Sequence, residues 1–330
     1  MISQNPNRKY KHLWTERKGG DRITYYRGGD ELEEADFITR TARTALADDV
    51  EAMVAVLYRT NAQSRAIEDA LMREGVAYKV IGGVRFYERK EVKDALAYMR
   101  LVINPHDDVS LRRVINVPAR GVGKGVMDSI DKVGPASEVD ESMPLLSIGL
   151  APALSPNSMW SKLVRGLDER QFTGRAAASL ATFRDLIVKL TGVARSERVS
   201  IAIGKMLDQS GYLQDLRDER SEEADGRVEN LAELVSAARE YESREPEPTL
   251  NAFVDLLSLL SDSSQDSGTL SSRVLFLTLL SATGLLFPVL ILAVPGGVLF
   301  PPSRSAADPS DLYHYRSSCR VALTRARRHS

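Results

Sequence analysis

The sequence predicts an α/β protein in which a parallel-sheet domain is interrupted by a mainly α-helical inserted domain. Short apolar runs rich in β-branched and aromatic residues alternate with helical patterns over residues 1–104, and such runs recur over residues 269–330. Between them, over residues 105–268, helical periodicity replaces the strand-like runs. Because strands that alternate with helices are typical of a parallel sheet, we predict that the two outer segments form one domain around the helical insertion.

Length and charge limit the classes of protein that the chain can represent. Its 330 residues, of which 43% are hydrophobic, are enough for packed cores. The formal net charge of −1 excludes a globally basic protein, so any contact with nucleic acid must come from local patches. The single cysteine, Cys319, excludes an internal disulfide, and the polar first residues do not resemble a secretory signal. We therefore expect a cytoplasmic protein.

The first segment reads as strands and helices in alternation. Residues 23–27 predict a short strand, and the helix after it begins where Asp30 and Glu33 have the spacing of a capping box. The apolar run at residues 53–58 predicts a second strand, followed by an amphipathic helix. A third strand is predicted at residues 77–81, before a glycine pair and a charged helix. The polar ends of these strands are expected to lie on one edge.

Polar residues after the strand at 53–58 form the first candidate binding site. Asn61 is placed to cap the following helix, and Arg59 and Arg65 lie on either side of it. Exposed N–H groups at a helix start, with two guanidinium groups beside them, make a corner that suits a phosphate. Arg85 and Phe86 follow the glycine pair after the next strand.

A second candidate site lies in the helical segment. Two predicted helices are joined by a tight Gly-x-Gly turn at Gly121 and Gly123. Such a turn directs backbone N–H groups and the start of the second helix toward one point, which suits a phosphate, and Arg120 and Lys124 add positive charge. The alternative is an ordinary turn between helices that uses glycine for a positive φ.

Three other stretches have distinctive compositions. Residues 133–158 are rich in Pro, Ser and Gly and predict a loop, and residues 261–272 predict a polar linker. Residues 274–294 carry no charge and are long and apolar enough to span a bilayer as one helix. Gly284 and Pro288 would interrupt such a helix.

A long contiguous stretch relates the chain to a known family. Residues 54–100, VAVLYRTNAQSRAIEDALMREGVAYKVIGGVRFYERKEVKDALAYMR, resemble the UvrD/PcrA/Rep type of superfamily 1 DNA helicase, in the second of its two RecA-like motor domains. Other stretches fit the same family in the same order. The resemblance implies an incomplete RecA-like domain that is interrupted by a helical DNA-binding insertion. It also implies ATP-dependent 3′-to-5′ unwinding of DNA in repair or replication, with ATP and Mg²⁺ as cofactors.

The same resemblance implies how the chain contacts DNA. The Gly-x-Gly turn is similar to the helix-hairpin-helix element with which the family's inserted domain grips duplex DNA without reading its sequence. The partner implied is a junction between single-stranded and duplex DNA. The DNA-binding residues implied are Arg59, Asn61, Arg65, Arg85, Phe86, Arg120, Gly121, Gly123 and Lys124.

The apolar stretch at residues 274–294 resembles a family segment that forms two buried strands around the motif T-x-H-x-x-K-G-L-E-F. Thr278 and Gly284 keep this ATP-coupling motif. Leucine or threonine replaces its three ionisable residues, the His, Lys and Glu, at Leu280, Thr283 and Leu286. We therefore expect impaired coupling between nucleotide and DNA, and no insertion into a membrane.

The last stretch, around residues 321–327, resembles the family's arginine motif. By this resemblance Arg325 is the arginine finger, because a planar cation fits the charge that spreads over a transferring γ-phosphoryl group. The alternative is a solvated basic end of the chain.

The sequence lacks the parts that hold ATP. It contains no G-x-x-x-x-G-K-S/T loop and no strand that ends in a metal-binding acidic pair, and we predict no metal site. The family carries both parts in its first RecA-like domain. We therefore expect no ATP turnover by this chain alone, and a separately encoded first motor domain is a candidate partner. The alternatives are an ATP-independent DNA-binding module and a decayed fragment of a helicase.

Overall fold

A parallel sheet of five strands lies at the centre of the α/β part of the protein. The structure is a computed structural model that describes residues 22–49, 52–134, 157–266, 272–279, 281–282, 285–293, 324 and 326–329. The strands are β1 (Val54–Tyr58), β2 (Tyr78–Val80), β3 (Val274–Thr278), β4 (Phe287–Leu292) and β5 (Ala326–His329). Their order in the sheet is β2-β3-β1-β4-β5, and all four pairings are parallel. The predicted mixed α/β fold with a parallel sheet is confirmed.

Strand β1 occupies the middle of the sheet, with Val54 opposite both Val274 and Val289. All five of its residues are buried, because neighbouring strands and packed side chains cover it on every side. Alternate side chains belong to two apolar clusters, so Val56 packs in one and Leu57 in the other. The first cluster includes apolar residues of helices α1 (Glu31–Asp48) and α2 (Ser64–Arg73).

The start of α1 confirms one prediction and corrects another. Asp30 caps the helix, and its Oδ1 atom accepts a hydrogen bond from the Glu33 N–H at 2.8 Å. The Glu33 carboxylate bonds back to the N–H of Gly29 at 2.8 Å. The predicted strand at residues 23–27 is wrong, since this segment has no strand partner among the described residues and Tyr25 is exposed.

The uncharged stretch at residues 274–294 contains the two strands that the sequence resemblance implied. Strands β3 and β4 both pair with β1, one on each side. Among the helices in the described ranges, none is both long and apolar enough to cross a membrane. Strand β5, near the end of the chain, was not predicted.

The chain divides into two compact units, one of Met1–Glu88 with Leu260–Ser330 and one of Arg89–Leu259. The second unit is helical. Helix α3 packs against α4, α7, α8 and α10. Its helices are α3 (Lys90–Ile103), α4 (Asp108–Val114), α5 (Lys124–Asp131), α6 (Met159–Asp168), α7 (Gly174–Ser196), α8 (Val199–Gln209), α9 (Tyr212–Glu219) and α10 (Glu222–Arg244), together with the first part of α11 (Leu250–Asp266).

Two predictions at the edges of this unit have different outcomes. The polar linker at residues 261–272 is wrong for its first half, because α11 continues to Asp266. Most of the loop predicted at residues 133–158 lies outside the described residues.

Candidate nucleic-acid interface

The Gly-x-Gly turn joins α4 to α5, as predicted, and a side chain holds its shape. Gly121 has a φ of +75°, in the left-handed region that favours glycine. The Asn116 Oδ1 atom accepts hydrogen bonds from the N–H groups of Arg120 at 2.8 Å and Val122 at 3.1 Å. Gly123 then occupies the N-cap position of α5. One asparagine side chain therefore fixes both ends of the bend.

The outer side of this turn presents unsatisfied donors. In the described part of the chain, no acceptor bonds the N–H groups of Gly121, Gly123, Lys124 or Gly125. All four residues are exposed, and a Cβ atom at Gly123 or Gly125 would meet nothing within 4 Å. Four adjacent donors at the positive end of a helix, without side chains over them, can bind the oxygen atoms of a phosphate.

Lys124 is the cation of this site. Its side chain is exposed at the first position of α5 and forms no ion pair with any described residue. Arg112, on α4, is instead paired with Asp131 at 2.8 Å. An ammonium group without a carboxylate partner needs no ion pair to be broken before it meets a phosphate.

Arg120, which the sequence also assigned to DNA, points inward. Its guanidinium donates hydrogen bonds to the carbonyl oxygens of Val114 and Pro118, both at 3.2 Å, and of Ser210 at 2.8 Å. It also donates to the Tyr98 hydroxyl at 2.8 Å. The side chain is therefore engaged by the protein, because the donors of its fork reach the segment before the turn and the carbonyl oxygen of Ser210 at the same time.

The acceptors of Arg120 belong to a larger buried network. The Tyr98 hydroxyl donates to the carbonyl oxygen of Val117, and burial raises the Tyr98 pKa to about 12 although Arg120 opposes the shift. One turn earlier on α3, Asp94 is 2% exposed and accepts from the Tyr212 hydroxyl at 2.9 Å. Burial, followed by the Asp94 charge, also raises the pKa of Tyr212.

Sequence reasoning did not identify this network. Its only signal is that Asp94 and Tyr98 are four residues apart on the mostly apolar buried side of α3. Their partners, such as Tyr212, are more than a hundred residues away along the chain. No local pattern specifies such a contact.

The carboxyl ends of the strands form the second place where the predicted residues gather. Arg59 and Asn61 are exposed immediately after β1. The predicted cap at Asn61 is wrong, because Thr60 takes the N-cap position of a short 3-10 turn. The Gln63 Oε1 atom accepts from the N–H groups of Arg59 at 2.9 Å and Thr60 at 3.3 Å. These two donors are thereby satisfied internally.

Arg65 lies in the interior of the α/β unit. Its side chain is 1% exposed and pairs with Asp69 at 3.0 Å and with Glu31 at 3.4 Å. The reason is its place on α2, where Arg65 and Asp69 are separated by one helical turn. The predicted surface role does not match this position.

Arg85 and Phe86 also face the protein. Phe86 is fully buried, and its N–H donates to the buried Glu68 Oε2 atom at 3.2 Å. The Tyr78 hydroxyl donates to the same oxygen at 2.8 Å. The Arg85 guanidinium lies 4.9 Å from the centre of the Tyr78 ring and bonds the Tyr78 carbonyl oxygen.

Thr278 ends β3 at the same edge as Arg59, since the strands are parallel. Its Oγ1 atom lies 2.9 Å from the Ser281 Oγ atom, and a Cβ atom at Gly82 would lie 3.3 Å from that oxygen. Leu286, in the place of the family's glutamate, is half exposed. Gly284 and Arg325 lie outside the described residues. The described residues contain no cluster of three or more His, Cys, Asp or Glu side chains that fits Mg²⁺.

A parallel sheet with polar residues at its carboxyl edge, interrupted in sequence by a helical unit, is the arrangement of a RecA-like C-terminal helicase domain. The chain belongs to the UvrD-like helicase C-terminal domain family, whose model matches residues 1–329. It is 36% identical to ATP-dependent DNA helicase PcrA from Bacillus subtilis, over 99% of this chain and 42% of that protein. It is 35% identical to DNA helicase II from Haemophilus influenzae, over 99% and 43% respectively. The chain thus spans about two fifths of the length of these relatives.

Proposed function

We propose that this chain is the DNA-gripping C-terminal part of a UvrD-like 3′-to-5′ DNA helicase. The helical unit binds the backbone of DNA at a junction, and the α/β unit forms one side of an ATP-binding cleft. The observation that carries the proposal is the set of four exposed N–H groups beside the unpaired Lys124, in the described part of the chain.

The Gly-x-Gly turn binds DNA through groups that do not depend on base identity. Phosphate oxygens accept from the backbone N–H groups, and Lys124 neutralises charge from the side. Arg120 acts from beneath, by tying the turn to the carbonyl oxygens of Val114, before the turn, and of Ser210, about ninety residues later. The interface therefore recognises the sugar-phosphate backbone of any sequence, as a translocating enzyme requires.

The α/β unit contributes to a nucleotide site without completing it. Arg59 and Asn61 lie at the edge where ligands of such sheets bind, while Arg65, Arg85 and Phe86 support that edge from inside. A first motor domain, on this or another polypeptide, supplies the phosphate loop and the carboxylates for Mg²⁺. Arg325 then stabilises charge on the transferring phosphoryl group. The domain limits at residues 104 and 268 stay a prediction.

Anisotropy of a labelled, tailed duplex tests the grip on DNA at salt concentrations from 50 to 300 mM, chosen to span roughly the physiological range. Lys124→Ala should weaken binding to unrelated sequences equally and reduce the slope of log K against log salt by about 0.9. Lys132→Ala is the matched control, because Lys132 is an exposed lysine at the other end of α5. Equal slopes for the two variants would favour the ordinary-turn alternative.

A DNA-binding module that works without ATP is the second candidate. It is favoured because the turn and its buried network lie entirely within residues 89–259. Addition of a UvrD-type first motor domain to the purified chain distinguishes a helicase part from an ATP-independent DNA-binding module. Restored DNA-stimulated ATP hydrolysis supports the helicase, and unchanged DNA binding without hydrolysis supports the module.

A further inference from the structure

We propose that the DNA-binding surface continues from the Gly-x-Gly turn onto helix α7, where Arg175 and Ser179 bind a neighbouring phosphate of duplex DNA. The proposal rests on the proposed function of the turn and extends it to a second element of the helical unit. It gives the duplex two points of contact, which fix its direction across the unit.

The turn and α7 lie side by side. A Cβ atom at Gly121 would be 4.0 Å from the Ser179 Oγ atom. The Arg120 guanidinium lies 5.5 Å from the centre of the Phe183 ring, one turn further along α7. Both distances place this face of α7 beside the turn.

Three residues on this face of α7 form a row that runs from the core to the surface. Arg175, Ser179 and Phe183 follow one another at intervals of four, so they share one side of the helix. Phe183 is fully buried, Ser179 is half-buried and Arg175 is exposed. The row therefore runs from the core outward beside the exposed N–H groups of the turn.

Charge and hydrogen bonding indicate a ligand for this row. Neither the Arg175 guanidinium nor the Ser179 hydroxyl has a polar partner in the parts of the chain that are described. Arg184 on the same helix is different, because it pairs with Asp185 at 2.8 Å. Arg175 is also in the first turn of α7, where the helix dipole disfavours a positive charge. An unpaired cation in an unfavourable position is expected where an anion binds.

Distances along the helix fit a DNA strand. Arg175 and Ser179 are about 6 Å apart along the axis of α7, at 1.5 Å per residue. Successive phosphates of one strand advance about 3.4 Å along the duplex axis. Arg175 and Ser179 can thus contact phosphates of the same strand that are no more than two steps apart.

The test uses the whole chain and a blunt, labelled duplex, with anisotropy measured at several salt concentrations. Arg175→Gln should weaken binding about eightfold at 0.1 M salt and reduce the salt slope by about 0.9, as expected for one lost phosphate contact. Arg195→Gln is the matched control, because Arg195 is an exposed arginine in the last turn of α7. The double variant of Arg175→Gln with Lys124→Ala should lose about 1.8 units of slope.

Each outcome decides between explanations. If Arg175→Gln behaves like Arg195→Gln while Lys124→Ala lowers the slope, the extension onto α7 is wrong and the proposed function stands. If neither Arg175→Gln nor Lys124→Ala lowers the slope, both proposals fail. Removal of Arg175 also removes a charge that the helix dipole disfavours, so the folded protein should not lose stability. A weaker complex that accompanies a lower unfolding temperature would overturn the assignment of Arg175 as a contact.

Discussion

Replacement of Arg120 by methionine distinguishes a residue that holds the turn from one that contacts DNA. Methionine keeps an unbranched apolar side chain and removes the guanidinium. The change removes the hydrogen bonds that the guanidinium donates to the carbonyl oxygens of Val114, Pro118 and Ser210 and to the Tyr98 hydroxyl. Because the two bonds at 2.8 Å are charge-assisted and partly buried, we expect each to contribute about 1.5 kcal/mol. The free energy of unfolding of the helical unit should fall by about 3 kcal/mol.

Urea unfolding followed by tryptophan fluorescence measures this change. Trp160 lies in α6 of the helical unit, and the other tryptophan, Trp14, can be replaced by phenylalanine in all variants. With a denaturant slope of about 2–3 kcal/mol/M, the midpoint of the variant should shift by roughly 1–1.5 M urea. Lys124→Met serves as the control. The Lys124 side chain is exposed and has no partner among the described residues, so its replacement should leave the urea midpoint unchanged.

The two variants should show the opposite pattern with DNA. Arg120→Met should lower affinity by loosening the turn and leave the salt slope unchanged, since no phosphate contact is lost. Lys124→Met should reduce the slope by about 0.9 without changing stability. A variant Arg120→Met with wild-type stability and a reduced slope would refute the inward role of Arg120.

Three further predictions use different measurements. The Tyr98 pKa is raised to about 12 in the folded state, so the neutral hydroxyl contributes its full share of folding stability below pH 10, and this share is lost as the pH rises toward about 12. In urea titrations at several pH values, Tyr98→Phe should therefore reduce the alkaline loss of unfolding free energy by about 1.4 kcal/mol per pH unit. Gly192→Ala in α7 should raise the unfolding free energy by about 1 kcal/mol, whereas Gly166→Ala should lower it, because its Cβ would lie 2.6 Å from the Phe172 ring; equal effects in calorimetry would contradict this. The purified 330-residue chain should show no DNA-stimulated ATP hydrolysis in a phosphate-release assay, and turnover abolished by Arg325→Ala would contradict that expectation.

The sequence predicted the strands correctly where a run of apolar residues marks a buried strand. Strand β1 is fully buried and strands β3 and β4 are partly buried, and all three are runs of mostly apolar residues, a pattern typical of strands inside a parallel sheet. Residues 23–27 have a similar local composition, but a strand also needs a neighbour that supplies hydrogen bonds. A pattern within one segment does not say whether that neighbour is present.

The candidate site was predictable in its backbone and less so in its side chains. The glycines at 121 and 123 predicted a turn, and Gly121 has the positive φ that suits only a few residue types. The direction of an arginine is set by distant acceptors, such as the Ser210 carbonyl for Arg120. For Arg65 the signal was local, since an acidic residue four positions later provides a partner within the helix.

The proposed binding of DNA by a chain of net charge −1 depends on which Arg and Lys side chains are already in ion pairs with carboxylates. Arg112, Arg113 and Arg184 all form ion pairs with aspartates, so they add little to the potential that DNA meets. Lys124 and Arg175 have no such partners among the described residues; Lys124 directly follows the Gly-x-Gly turn, and Arg175 is one helical turn from Ser179, which lies near Gly121. These two cations therefore stay available to an anion at the proposed interface, even though the whole chain is almost neutral. Selectivity for the backbone then comes from the fixed N–H groups of the turn, whose positions depend on the buried side chains beneath it.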